Sequence, residues 1–135
     1  GNLNINTAQA VTNKVVLFVN GTLRFSSPVT IGNPGQGFFM AVSTGDIVID
    51  QALGGGGTNI NGLLITDSQF RTSVGNTRFR LLGSIIAWGG YDLRRDLQGN
   101  NSDTPAEEFT FDPRLIVLFP PSVSKSSVVW KELAP

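Results

Sequence analysis

A chain of 135 residues is one domain, or one domain plus a tail, and is long enough to bury a core without cross-links. Ten Lys+Arg balance ten Asp+Glu, so no basic field points to nucleic acid; the charged fraction of 15% is low beside a usual level of roughly 25%. With no cysteine and no histidine, disulfides, thiolate metal sites and imidazole bases are excluded, and no apolar run approaches the ~20 residues of a membrane span.

Solubility therefore rests on Asn, Ser, Thr, Gln and Gly. A surface without net charge gives little protection against self-association and suits a protein that packs against copies of itself. The start at Gly1, with neither an initiator Met nor a signal segment, reads as a processed piece of a longer precursor.

In chain order, Leu3 and Ile5 alternate with Asn2, Asn4 and Asn6, which predicts a short strand with one polar face. Residues 14–25 carry an apolar run, then Asn20 and Gly21, then alternating Leu23 and Phe25. Asn-Gly between apolar runs signals a hairpin; the rival is a glycine at the bend of a coil. GNPGQG at 32–37 is a loop. Phe38 to Val42 and then Ile47 and Ile49 read as strands, with the glycines at 54–57 as a flexible spacer.

Residues 59–90 are the organising stretch. Two short apolar runs, Leu63 to Ile65 and Leu81 to Ile86, each stand beside or around a glycine (Gly62, Gly83) with a polar turn between them. Such runs predict strands buried on both faces. Gly21, Gly45, Gly62 and Gly83 recur at 24, 17 and 21 residues, close to one turn of a solenoid of ~20–25 residues. The fold class expected is all-β, a β-solenoid (β-helix-like coil) with a C-terminal cap and an extended terminal strand; the alternative is an antiparallel β-sandwich or jelly roll. Residues 1–90 form the coil with its N-terminal strand, and 91–135 a charged cap loop and C-terminal strand segment. In that last part, Thr104 to Phe109 has the look of a helix start, with Pro105, Glu107 and Glu108 in its first turn. Leu115 to Phe119, and Val128 to Leu133, read as strands.

The run GSIIAWGGYDLRRDL, a loop of Asn, then TPAEEFTFDPRL, a double proline and a terminal WKELAP resembles a recurrent C-terminal region. It belongs to secreted or surface β-helical proteins, fibre- or pilin-related, of Candidate Phyla Radiation bacteria. The resemblance covers about residues 60–135 and implies an extracellular or cell-surface location and a structural or adhesive role; it carries no activity.

Several groups of residues bear on chemistry. Arg94, Arg95 and Asp96 are expected to pair with Glu107, Glu108 and Asp112 across the Asn-rich loop as salt bridges locking cap to coil, since Arg suits bidentate pairing with carboxylates. Read catalytically, Arg94, Asp96, Glu107 and Glu108 beside Trp88 would serve a carbohydrate-binding or carbohydrate-cleaving module. Trp88, Tyr91, Phe38 and Phe39 would make an aromatic platform, although such residues are more often core. Asn100, Asn101 and Asp103 lack the spacing of a calcium loop, so no metal or other cofactor is expected. Without His or Cys, the serines have no triad.

The ends of the chain are the most suggestive. Leu3 and Ile5, and Val128, Val129, Trp130 and Leu133, are candidate interface residues: an extended strand adds to a neighbour's sheet edge, and a donor and acceptor at opposite ends give an open head-to-tail chain. The expectation is a non-enzymatic extracellular subunit of a pilus-like filament, with copies of itself as partner and surface glycans as a second partner. A phage-tail or adhesin module forming closed trimers is a further alternative. On the donor-strand version, removing 127–135 abolishes assembly and leaves the fold.

Overall fold

The computed structural model describes residues 1–123. Within them the protein is a β-solenoid of about four turns built from parallel strands. The first turn is β1 (Leu3–Ile5), β2 (Gln9–Val11) and β3 (Lys14–Val19); the second is β4 (Leu23–Phe25), β5 (Val29–Ile31) and β6 (Phe38–Ser43). The third is β7 (Ile47–Ile49) and the long β8 (Ile60–Thr66); the fourth is β9 (Phe70–Thr72) and β10 (Phe79–Ala87). β11 (Tyr91–Asp92) and β12 (Glu107–Thr110) begin a fifth turn, and a single-turn helix α1 (Arg114–Val117) follows.

Three stacks result. The first sheet is β1-β4-β7-β9-β11. The second sheet is bent: Ile60 of β8 pairs with Val29 of β5, whereas residues 63–66 of β8 pair with β6. One arm therefore holds β2, β5 and the starts of β8 and β10 under β12, and the other holds β3, β6 and the ends of β8 and β10. Every pairing is parallel, so Asn20 and Gly21 make no hairpin; the coil-bend reading holds. A hairpin would need antiparallel partners, and here each strand finds its partner one turn away.

Leu3, Leu23, Ile47, Phe70 and Tyr91 stack in one column, which sets turns of 20, 24, 23 and 21 residues. The glycine spacing seen in the sequence mixes two columns. Gly45 donates its N–H to the Gly21 carbonyl (3.0 Å) at one corner, and Gly83 stands on Gly62 at the bend of the second sheet. The interval of 17 residues from Gly45 to Gly62 thus joins different corners and is no repeat. A Cβ on Gly45 would lie 2.8 Å from the carbonyl carbon of Gly21, and one on Gly83 would overlap the Gly62 carbonyl oxygen.

Alternation puts Leu23, Phe25, Ile47, Ile49 and Phe70 inside against Val29, Phe39, Ala41, Ile60, Leu64, Phe79 and Leu81, all buried. The outer face of the β3–β6 arm is apolar as well, and the C-terminal segment covers it: Leu115, Leu118 and Phe119 pack on Phe38, Met40, Val42 and Leu63, with the Phe38 and Phe119 rings edge to face at 5.7 Å. This explains strands that read as buried on both faces.

Two local expectations are corrected. Glu107 and Glu108 lie in a strand, not a first helical turn, because β12 gains a hydrogen-bonded partner in residues 79–82 of β10. Leu115 to Val117 are helical, not extended: Pro113 precedes the turn and Asp112 accepts the Arg114 N–H at 3.1 Å. One turn suffices to put Leu115 on the sheet. The strand expected over 127–133 lies outside the described residues.

Because the Gly83 backbone touches that of Gly62, Gly83→Ala is expected to destabilise the fold by ~2–3 kcal/mol, the usual cost of overpacking. Gly56→Ala, where an added Cβ meets nothing, should stay within ~0.5 kcal/mol of wild type. Urea unfolding of the two variants makes the comparison.

Candidate functional site

A coil of parallel strands satisfies its backbone along the sides and leaves it unsatisfied at the ends. At the N-terminal end, β1, β2 and β3 pair with β4, β5 and β6 and, among the described residues, have no partner on the other side. Inside this rim lies a hollow of about 370 Å³ lined by Ile5, Val11, Val15 and Leu17 over Val29 and Phe39. Val15, in register with the buried Phe39, is nevertheless exposed, because no described strand covers it from the far side.

The C-terminal end is half closed. β12 covers residues 79–82 of β10, whereas residues 83–87 have no partner on their far side among the described residues. Phe109 sits over Phe70 and Phe79 at centroid distances of 6.1 and 6.2 Å. Beside it is a second apolar hollow of about 330 Å³, lined by Leu81, Gly83, Ile85, Tyr91, Leu93 and Phe109. The Tyr91 hydroxyl donates to the Ile85 carbonyl at 3.0 Å.

Arg95 fastens this end to the coil. It is only 7% exposed, and its guanidinium donates to the carbonyls of Thr77 (2.9 Å), Asp50 (2.7 Å) and Leu53 (2.7 Å) and to the Thr77 hydroxyl (2.8 Å). One side chain thereby ties three successive turns. Burial lowers its pKa from the usual arginine value, and Glu107 and then Asp50 oppose this. Glu107 turns inward and accepts the Arg95 N–H (2.8 Å) and the Thr72 hydroxyl (2.7 Å).

The other charged residues pair locally. Arg94 meets Asp92, Glu108 meets Arg78 (2.6 Å) and Arg80 (3.3 Å), and Asp112 meets Arg114. Asp96 accepts from Asn101 and the Gln98 N–H, which lower its pKa in that order. No side-chain ion pair among the described residues joins residues 94–96 to 107–112; the link runs through the Arg95 backbone and Glu107. Sequence reasoning had no view of Arg78 and Arg80, because their partner lies one turn later in the coil. On the first sheet's outer face, Arg24 pairs with Asp50 and Arg71 with Asp46, diagonal pairs between adjacent turns on either side of Val48, with which both arginines are in register.

The carboxylates proposed for sugar cleavage are thus bound into the scaffold: Glu107 inward, Glu108 between two arginines. The aromatic platform is dispersed, because neighbours on a strand face opposite ways. Phe39 is in the interior, Phe38 lies under Phe119, Tyr91 sits at the C-terminal end, and Trp88, 77% exposed, stands at a corner. Asn100, Asn101 and Asp103 form a hydrogen-bonded turn, and no cluster of metal-ligating residues occurs among the described residues. Of the interface candidates, Leu3 and Ile5 lie in the open first turn, Ile5 lining its hollow; Val128, Val129, Trp130 and Leu133 fall outside the described residues. No described helix is long and apolar enough to cross a membrane. No family model, curated protein or solved structure matches this chain.

Replacing Arg95 by Met leaves the buried Leu53 carbonyl and the partly buried carbonyls of Asp50 and Thr77 short of a donor, and ~3 kcal/mol of stability should be lost. Arg95→Lys should recover only part, because one ammonium cannot span the fork; thermal and urea unfolding read both. Asp46 has its pKa lowered chiefly by the Ser68 hydroxyl, against burial, with the Gln69 N–H and Arg71 assisting. Its contribution is complete above the unfolded-chain value of about 3.9 and disappears as pH falls through the lower folded value. The stability advantage of wild type over Asp46→Asn should therefore shrink below about pH 4 in urea titrations at a series of pH values.

Proposed function

We propose that this protein is an extracellular structural subunit which assembles with copies of itself into a pilus-like filament through strand-edge contacts. The observation that carries this reading is the pair of open ends. One outer face carries ion pairs, and the C-terminal segment covers part of another, beside a hollow lined by Leu63, Phe111, Leu115 and Ile116. Among the described residues both ends carry unpaired strand edges around an apolar hollow, and exposed edges of this kind recruit further strands.

Zero net charge adds to this by removing the repulsion that keeps subunits apart. The resemblance of residues 60–135 to surface proteins of Candidate Phyla Radiation bacteria supports the cell-surface location and the structural or adhesive role. A non-enzymatic role agrees with carboxylates engaged in scaffold bonds. The carbohydrate reading has only Trp88 in its favour, an exposed ring at a corner.

Electron microscopy of the purified chain across a dilution series tests the proposal. Regular filaments whose number grows with concentration are expected. Discrete monomers or closed trimers at every concentration would sink it and turn attention to glycan binding.

A further inference from the structure

The first sheet and the arm under β12 each stack five strands, whereas the β3–β6 arm stacks four and stops at residues 83–87 of β10. Among the described residues the fifth layer therefore has two walls, at Tyr91 and Phe109, and the apolar hollow they line with Gly83 and Ile85 lies open where a third would stand. We infer that residues 128–132 of the same chain are that third wall: a fifth parallel strand on residues 83–87, with Trp130 seated over Ile85 in the hollow. This placement concerns a single molecule and stands apart from the filament reading.

The described chain arrives where such a strand must begin. Phe119 packs on Phe38, the first residue of β6, and lines the outer hollow together with Ser84 of β10. A strand parallel to β10 enters from this end of the arm. From Val123, five residues reach Val128 and span up to about 16 Å, against about 14 Å for three strand spacings from β6 to a fifth layer. So short a tether holds the segment at an effective concentration of about millimolar beside its own step, which favours the same chain over a neighbour. The residues also match the edge. Val128, Val129 and Trp130 are strand formers, and with Trp130 over Ile85, alternation sets Val128 over Gly83 inside, and Val129 over Ser84 and Lys131 over Ile86 outside. Trp130 then extends the inner column of Leu17, Ala41, Leu64 and Ile85 into a space of about 330 Å³. Val129 meets the outer hollow beside Leu63 and Ile116. The Lys131 stem covers the exposed Ile86 with its ammonium in water. Glu132 falls at the rim over Ala87, in the column that holds Ser43 and Thr66. A slip of one residue would turn Trp130 to solvent and leave the hollow to the smaller Val129. The Ile85 carbonyl accepts the Tyr91 hydroxyl at 3.0 Å, and its second lone pair is left for a strand N–H.

Because the chain has no cysteine, disulfide trapping at low protein concentration reads the placement. Ile86→Cys/Lys131→Cys puts two outward thiols one strand spacing apart, about 4.8 Å, within the ~7 Å limit for a disulfide. Oxidation should give a monomer without free thiol, the 86 and 131 peptides linked in mass spectra, at a yield independent of concentration. Phe18→Cys/Lys131→Cys should stay reduced, since Phe18 starts the same outward column four spacings away, about 19 Å. Closure of that pair in place of the first would overturn the proposal and put the segment on the open edge of β3. An equal mixture of the single variants Ile86→Cys and Lys131→Cys should remain monomeric; linked dimers would overturn same-chain placement and give the strand to a neighbouring copy. A second measurement needs no disulfide. In Trp88→Phe the one indole left is Trp130, whose emission should be blue-shifted in the folded protein and shielded from acrylamide. Emission and quenching equal to those of the urea-unfolded chain would overturn the proposal.

Discussion

Everything in this molecule follows from the demand that each turn lie on the one before it. Parallel strands about 4.8 Å apart bond only if the backbone retraces its path, and the tightest points are where it bends. Gly83 on Gly62 and Gly45 on Gly21 are in backbone contact, which leaves no volume for a side chain. Insertions are tolerated only where the path can leave the stack and return. The second turn spends extra residues at 32–37, between β5 and β6, and the third spends them at 50–59, between β7 and β8. The total per turn nevertheless stays between 20 and 24.

The polar, uncharged composition has a structural use in the same constraint. Corners cannot bond like strands, so side chains complete them. Ser43 donates to the Gly21 and Gly45 carbonyls (2.5 and 2.9 Å), and Thr66 to the Gly45 carbonyl (2.6 Å). Asn59 accepts the Arg80 N–H (2.8 Å) and Asn2 the Thr22 N–H (2.9 Å). These groups take up donors and acceptors that burial would otherwise leave unpaired. Arg95 does this on a larger scale at the spacer 50–54, where glycine permits close passage and one guanidinium replaces three strand bonds.

A coil that solves its backbone problem sideways cannot solve it axially. The C-terminal end answers in part with β12, Phe109 and Tyr91, and the N-terminal end has no answer within the described residues. The two ends are not alike: the first sheet and the arm under β12 each stack five strands, whereas the β3–β6 arm stacks four, so the C-terminal end is stepped.

The sequence by itself pointed to an all-β chain, to a solenoid ahead of a sandwich, and to most of the strands. Glycine-bounded apolar runs such as 63–65, the loop at 32–37 and the polar alternation of Leu3 and Ile5 are local patterns, and local patterns report strands and turns. It also excluded thiol and imidazole chemistry through plain absence. Which glycines share a corner was decided only by the tertiary structure, because Gly45 and Gly62 differ by where the chain stands in the turn, which spacing alone does not encode. The same holds for Glu108 with Arg78 and Arg80, for Arg95 beneath its carbonyls, and for the helical turn at Leu115. Each depends on a partner brought close by stacking, and stacking energy is gained only when a whole turn is in register.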